Sequence, residues 1–289
     1  MSKDVARRFM LEQANTRGEW VHMDDSWQEM LKRADYPEVI RNVLGEALAA
    51  SVLLSATIKH KGSLILQIRG DGPVHLLSVQ ATPEGLVKGL ARWNQEPSGN
   101  SLTDIFGKAN IVITIEAEND SQRYQGIIAL EGEKLSDALE TYFLQSEQLP
   151  TRLWLGSNAE STAGMLLQRL PGQEQGEEDW ARVGMLLDTL TNDELMHVEP
   201  EALIFRLFHE EAPRLFDPKP LSFQCGCSLN KIEKTIQALG EAEANAIIAE
   251  QGRIEVNCEF CNSQYLLDTV DVKRLFASVQ IGQANSTVH

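Results

Sequence analysis

The residues with the clearest chemistry are four cysteines, which come as two close pairs, Cys225-Gly-Cys227 and Cys258-Glu-Phe-Cys261. Thirty residues, Ser228 to Asn257, separate the pairs. Thiolates are soft ligands, and two pairs at this spacing close a tetrahedral four-sulfur zinc site once the intervening segment folds back. The strand-like Arg253–Asn257 delivers Cys258, and Cys-x-x-Cys makes a tight knuckle. Ser228 is placed to cap a helix over Ile232–Leu239 that Gly240 stops. A thioredoxin-like redox pair at Cys258 and Cys261 would instead need a helix N-terminus after the motif. Asn262-Ser-Gln-Tyr-Leu-Leu267 reads as a returning strand, which disfavours it. Spacing alone leaves open whether the metal is an inert staple or a switch. Zinc-bound sulfurs are thiolates, which oxidants attack, and a disulfide sulfur is a poor ligand. Oxidising either pair would therefore eject the metal.

The elements that must position these cysteines fall into three stretches. Residues 1–172 read as an α+β domain built on a largely antiparallel sheet. A helix over Pro37–Ile58 carries Val39, Val43, Leu44, Leu48, Val52 and Ala56 at helical spacing. Strands are expected at Ser63–Arg69, Val74–Val79, Gly85–Trp93, Ile111–Ala117, Tyr124–Leu130, Arg152–Leu155 and Met165–Leu170, with a turn at 119–122. A helix is expected over Leu135–Gln145 with Ser136 as its N-cap. Hairpins outnumber βαβ units, which is the α+β signature. A polar, acidic boundary follows at Pro171–Asp179, whose Glu174–Asp179 reads as a solvated loop. Residues 173–220 then read as a helical linker, with short helices at Trp180–Leu190, Asn192–His197 and Pro200–Glu211. Helices this short are marginal alone, so their common apolar face must lie on something. Residues 221–289 hold every cysteine and form a small zinc-binding domain. Its core is thin for its size, and a structural zinc, at about 10–16 kcal/mol, can decide whether it folds.

The chain has 289 residues and a formal net charge of -16. Residues 173–289 hold 20 acids and 9 bases, so the acidity concentrates there. Phosphate backbones and anionic lipid repel such a chain, which argues against nucleic acid and membrane surfaces as partners. No run approaches the ~18 apolar residues of a membrane span, and the first residues lack a secretory pattern, so the cytoplasm is the expected compartment. There, paired cysteines are thiols or metal ligands sooner than permanent disulfides. No phosphate-cradling loop and no Gly-x-Ser-x-Gly elbow occurs. The six histidines (22, 60, 75, 197, 209 and 289) are dispersed. His209 reads as a helix-end residue, and Phe205, Phe208 and Phe216 as linker packing.

Several segments together carry a family resemblance. They are Ser146-Glu-Gln-Leu-Pro-Thr-Arg-Leu-Trp154, Ala163-Gly-Met-Leu-Leu-Gln168, Leu203–Phe216, Phe223-Gln-Cys-Gly-Cys-Ser228, and Gly252–Cys261 with Tyr265 behind it. On these the chain resembles, over essentially its whole length, the redox-regulated heat-shock chaperones of bacteria. Departures fall in variable stretches such as 157–162 and 173–179. The resemblance implies an ATP-independent holdase and no enzyme. It implies a reduced, inactive form that binds one zinc through Cys225, Cys227, Cys258 and Cys261. Oxidation would join Cys225 to Cys227 and Cys258 to Cys261, release zinc and unfold the linker and C-terminal domain. Unfolding client proteins would then bind, and the monomer would become a homodimer. The client surface would be the apolar face of the linker helices or the sheet beneath them. Two other readings of the cysteines remain: a constitutive zinc-ribbon adaptor, and a thiol–disulfide oxidoreductase acting through Cys258 and Cys261.

Overall fold

A computed structural model describes residues 4–58, 62–116, 123–171 and 177–284. The expected turn at 119–122, residues 172–176 of the acidic boundary, and His60 and His289 lie outside the described residues. The chain opens with a hairpin, β1 (Val5–Leu11) and β2 (Thr16–Met23), followed by α1 (Asp25–Leu31) and α2 (Glu38–Thr57). Next come β3 (Ser63–Gly70), β4 (Val74–Ala81) and β5 (Leu86–Trp93), the short α3 (Leu102–Phe106), then β6 (Ala109–Glu116) and β7 (Arg123–Ala129). α4 (Leu135–Tyr142) runs into a π-helical turn at Phe143–Glu147, and β8 (Thr151–Ser157) and β9 (Thr162–Arg169) follow. Three helices, α5 (Glu177–Leu187), α6 (Asn192–His197) and α7 (Pro200–Phe208), lead to β10 (Arg214–Leu215), β11 (Lys219–Pro220) and β12 (Ser222–Phe223). The rest is α8 (Leu229–Leu239), α9 (Glu241–Gln251), β13 (Ile254–Asn257), β14 (Gln264–Leu267) and α10 (Thr269–Ala284).

Two compact units result, one ending at Gln224 and one beginning at Cys225. The first contains two six-stranded sheets. One has the order β10-β1-β2-β9-β8, with β11 also on β1; the other has the order β12-β5-β4-β3-β6-β7. Every pairing is antiparallel except β12 on β5. The mixed α+β class with antiparallel sheets is thus as expected. The N-terminal hairpin was not among the expected strands, and the expected strand at Gly85–Trp93 is β5.

α2 lies between the sheets, packed on β2, β8 and β9 on one side and β3, β4 and β5 on the other. Though not an unbroken apolar run, and against the expectation that nothing approaches a membrane span, it has the length and mean hydropathy of one. Its buried residues, among them Ile40, Leu44, Leu48, Leu53 and Leu54, belong to the core instead. A helix apolar all round needs partners all round, and the two sheets provide them.

α4 begins at Leu135, as expected, but its cap is not the expected one. Leu135 is buried and becomes the first helical residue, so Lys134 is the N-cap and Ser136 is not. The Asp137 carboxylate accepts from the Lys134 backbone N–H at 3.0 Å, doing the work a cap would do. Glu177, Glu178 and Asp179 are not loop but the first turn of α5, where negative charge suits the helix dipole.

The helices α5–α7 cover the outer face of the first sheet. Phe9, Leu11, Trp20, Met165 and Leu167 of the sheet meet Val183, Leu187, Leu195, Leu203, Leu207 and Phe208 in one buried cluster. Alternation along β9 explains this: Ala163, Met165 and Leu167 face the helices, while Leu166 faces α2. Phe9 lies across β2 because Gly18 leaves the room; a Cβ there would fall 2.0 Å from the Phe9 ring. Phe9 in turn stacks on Phe208 with centroids 5.8 Å apart. Ion pairs tie the helices down at their margins. Arg182 holds the buried Glu211 through two nitrogens at 2.8 and 3.0 Å, and Arg152 of β8 reaches Asp188 at 2.8 Å. Phe205, by contrast, is 65% exposed and lies tilted against His209 at 5.8 Å instead of joining this cluster. Phe216 lies under Arg8 at 4.4 Å and Arg214 at 5.0 Å.

Two predictions follow from this packing. Phe208→Ala opens a cavity under α7, at a cost of about 3–5 kcal/mol for a buried Phe. Limited trypsin digestion should then cut after Arg182 and Arg206 sooner than in the parent; an unchanged digestion pattern would contradict the role given to Phe208. The second concerns Glu19, buried and paired in register with Arg8. Burial pushes its carboxyl up to about 7 despite Arg8, Lys219 and Arg17 nearby. An acid raised in the fold binds its proton more tightly than the unfolded chain does, so stability falls as pH rises from 4.5 to 7. Glu46, also raised to about 7 by burial, adds to the same decline. Glu19→Gln should flatten part of it, making the variant more stable than the parent above pH 7 in urea titrations. Parallel pH profiles would refute the assignment.

Candidate metal centre

The second unit has a small core of Ile236, Ala244, Ile254, Leu267, Val272, Leu275 and Phe276. These come from α8, α9, the β13–β14 hairpin and α10. The hairpin carries one cysteine pair at its tip and α8 carries the other just before its first turn. Ser228 caps α8 as expected, its hydroxyl accepting from the Lys231 N–H, and Gly240, at φ 101°, ends the helix. Cys258 follows β13 directly. The Asn262 N–H donates to the Cys258 carbonyl at 2.6 Å and the Cys258 N–H to the Ser263 carbonyl at 2.9 Å, which closes the knuckle. Asn262 takes a left-handed φ of 56° there, a conformation asparagine tolerates. The strand expected after Cys261 is β14, so no helix begins directly after that pair.

The fold brings all four sulfurs to one place. Those of Cys225, Cys227, Cys258 and Cys261 lie within 4.8 Å of one another. Cys225 Sγ is 3.5 Å from Cys258 Sγ, and Cys227 Sγ is 3.3 Å from Cys261 Sγ. All four are free thiols, each half-buried. Zinc–sulfur bonds of about 2.3 Å in a tetrahedron put sulfurs about 3.8 Å apart, so the cluster fits a tetrahedral thiolate site. Among the described residues this is the one group of three or more Cys, His, Asp or Glu side chains able to hold a metal. His209, beside Phe205 and Glu210, belongs to no such group.

Proton affinities within the cluster are uneven. Burial pushes the Cys225 thiol up to about 12, and burial raises Cys258 also. At Cys261 burial acts in the same direction, but hydrogen bonds from the Ser263 hydroxyl and backbone and from neighbouring thiols overcome it and bring the group to about 6. The Tyr265 hydroxyl donates to Cys227 Sγ at 3.1 Å, and that bond, with burial and the sulfur charges, raises the phenol to about 12. Four thiolates this close repel one another strongly in a half-buried setting. Lys231 Nζ, bonded to the Gly226 carbonyl at 2.6 Å, and the α8 N-terminus are the cationic features beside them. A dication at the centre would supply the missing charge. Tyr265 and Ser263 were not singled out as ligands' partners in the sequence; hydroxyls two and four residues after Cys261 are too common to mark them.

Residues 4–268 match the model of the family described as Hsp33 protein. The chain is 46% identical over 288 residues to the 33 kDa chaperonin of Nitrosococcus oceani, covering 100% of this chain and 99% of that one. The chain belongs to the Hsp33 family. Further 33 kDa chaperonins are similar throughout, at 42% identity in Shewanella putrefaciens (97% of this chain, 98% of that one) and 40% in Methylobacillus flagellatus (99% of each). The crystal structure of the 33 kDa chaperonin of Thermotoga maritima shares the fold, with a TM-score of 0.84 at 20% identity over 95% of this chain and 98% of that one. The expected resemblance to bacterial heat-shock chaperones is therefore sound, as is the four-cysteine cluster that can bind a metal.

Cys261→Ser should weaken metal binding by more than the ~10–100-fold that loss of a hydrogen bond to a ligand costs. Competition with a chromogenic chelator measures this, and parental affinity in the variant would refute a four-thiolate site.

Proposed function

We propose that this Hsp33-family chain is an ATP-independent holdase switched by oxidation, cytoplasmic, and not an enzyme. The observation that carries this reading is the meeting of four sulfurs in a unit with few buried apolar side chains among its described residues. Zinc, held by Cys225, Cys227, Cys258 and Cys261 in the reduced form, would supply the folding free energy that this core lacks. Thiolates that hold a structural metal are also the groups a hydroperoxide or hypochlorous acid attacks. In this reading Cys225 joins Cys227 and Cys258 joins Cys261, each pair giving up two electrons to the oxidant. These pairings are local in sequence and so survive unfolding of the unit. Zinc then leaves, the C-terminal unit unfolds, and the linker segment 173–220 loosens from the sheet.

The two candidate client surfaces, linker helices and underlying sheet, meet in one buried cluster. The linker face with Leu187, Leu203, Leu207 and Phe208 lies directly on Phe9, Leu11, Trp20, Met165 and Leu167 of the sheet. Separating them would expose both, an apolar area of the kind that binds unfolding proteins. Clients, and a second copy of the chain forming the homodimer of the oxidised state, would compete for it; the reduced form would be monomeric. Local unfolding of a low-stability element is an established way to make such a switch.

The decisive experiment titrates peroxide into reduced, zinc-loaded protein while following zinc release, helical content and aggregation of an unfolding client. The expected result is that aggregation is suppressed only after zinc leaves. Equal suppression by both forms, or zinc retention with full activity, would overturn the reading in favour of a constitutive adaptor. Turnover of disulfide substrates would instead favour an oxidoreductase.

A further inference from the structure

The first unit carries a cleft of about 720 Å³, a size at which small organic molecules bind. One wall is the N-terminal half of α2, where Glu38, Asn42 and Glu46 line it. At i, i+4 and i+8 these side chains follow one helix face, about 6 Å apart along the axis and about 12 Å from first to last. Glu38 is exposed, whereas Asn42 and Glu46 are partly buried. The start of α4, the end of β8 and the linker residues Thr191, Asn192 and Leu195 form the other walls. Two polar groups of this lining have no protein partner among the described residues. Neither a hydrogen bond nor an ion pair holds the Glu46 carboxyl, and burial pushes it up to about 7 against the pull of the Lys134 charge. The Ser157 hydroxyl is buried and unbonded. Buried polar groups in native folds are nearly always satisfied, so both call for a partner.

Charge decides what kind of molecule fits. Glu38, Glu46 and Glu133 put three carboxyls on the cleft against the single ammonium of Lys134. Arg41 lies 3.9 Å from Glu38, beyond hydrogen-bond distance, and donates to Asn42 at 3.3 Å instead. Anions are therefore disfavoured. A metal ion does not fit either, because the carboxyls do not converge: the cysteine sulfurs are the one described group of three or more ligating side chains close enough to share an ion. Carboxyls strung along a helix match a cation whose charges are strung along a chain. We propose that this cleft binds a linear diamine or polyamine, with one end ammonium at Glu46 and Ser157, the other at Glu38, and the methylenes between them against Val39, Val43 and Leu155. An ammonium has three donors, enough for a carboxylate and a hydroxyl together. Linker residues complete the cleft, so the ligand binds the docked linker better than a loosened one and stabilises the docked state. Asn192 sits close on β8 there, since a Cβ on Gly156 would fall 2.3 Å from its Oδ1. The regulatory use of this coupling rests on the redox reading; the binding itself does not.

Equilibrium dialysis of the reduced, zinc-loaded protein at physiological salt tests the site, with spermidine and with linear diamines of four and eight carbons as probes. The two diamines carry the same charge, but only the longer one reaches both carboxyls. It should bind about tenfold tighter or more, the equivalent of one hydrogen bond to a charged group. Glu46→Gln and the exposed Glu38→Gln should each weaken spermidine by a similar factor. Glu241→Gln removes the same charge from the second unit and should leave the affinity unchanged. The chain's net charge of -16 makes loose counterion binding the competing explanation. Equal affinities for the two diamines, equal losses in all three variants, or no saturable binding would overturn the proposal. Spermidine at ten times its Kd should also slow trypsin cleavage after Arg206 about tenfold in the parent and not in Glu46→Gln. Unchanged cleavage in the parent would overturn the coupling to the linker. No oxidant enters these measurements, so binding that holds while peroxide fails to activate the protein upholds the site and counts against the redox reading.

Discussion

Everything in the C-terminal unit depends on four sulfurs being held at a separation that favours a cation between them. Their Sγ atoms lie within 4.8 Å, in a unit whose described residues include seven buried apolar side chains. The backbone of that unit is well made locally. Ser228 caps α8, Gly240 ends it, and the knuckle after Cys258 closes through three backbone hydrogen bonds. Local order of this kind sets the positions of the thiols but contributes little net free energy, since each such bond replaces one to water. Holding the two cysteine pairs together against the mutual repulsion of their charged forms is left to whatever neutralises them.

The first unit poses the opposite situation. Its central helix is enclosed by two sheets, and this core stands on many buried side chains. Its weak point is outside that core. The sheet of β1, β2, β9 and β8 is apolar on both faces, and its outer face is covered by three short helices. None of the three is long enough to persist alone. They are held by the apolar contact with the sheet, by the Arg182–Glu211 pair and by the Arg152–Asp188 pair. Removal of this cover would leave Phe9, Trp20 and Met165 facing water without disturbing α2. The chain thus combines a robust scaffold with an apolar surface kept under a removable cover, which is an arrangement suited to a chaperone.

Much of this was legible in the sequence. The two cysteine pairs announced a four-sulfur cluster able to hold a metal, because so few chemistries need four thiols at that spacing. α2 and β3–β7 were readable because their apolar residues repeat cleanly at helical or strand spacing. β1 and β2 were not, because Arg7, Arg8, Arg17 and Glu19 interrupt the pattern. Their side chains are accommodated by tertiary partners, such as Arg17 with Gln168 and Thr57, and Arg7 with Glu201. The cap of α4 was misassigned for a related reason, since burial of Leu135 outweighed the intrinsic preference of Ser136 for a cap. That the linker helices need a surface was legible from their shortness, but which surface they use was not. It follows from the two-sided burial of β9, a property that only the paired sheet reveals. The hydroxyl contacts of Tyr265 and Ser263 were equally out of reach, because the first joins residues 38 positions apart and the second depends on how the knuckle after Cys258 turns.

The central claim is that a metal held by reduced sulfur maintains the fold of the C-terminal unit while the first unit needs no such support. Hydrogen–deuterium exchange on zinc-loaded, chelator-stripped and peroxide-oxidised protein tests it directly. The account predicts that amides of 229–276 lose protection in both metal-free samples while those of α2 and β3 keep theirs. Full protection of 229–276 without metal, or loss of protection throughout the chain, would contradict it.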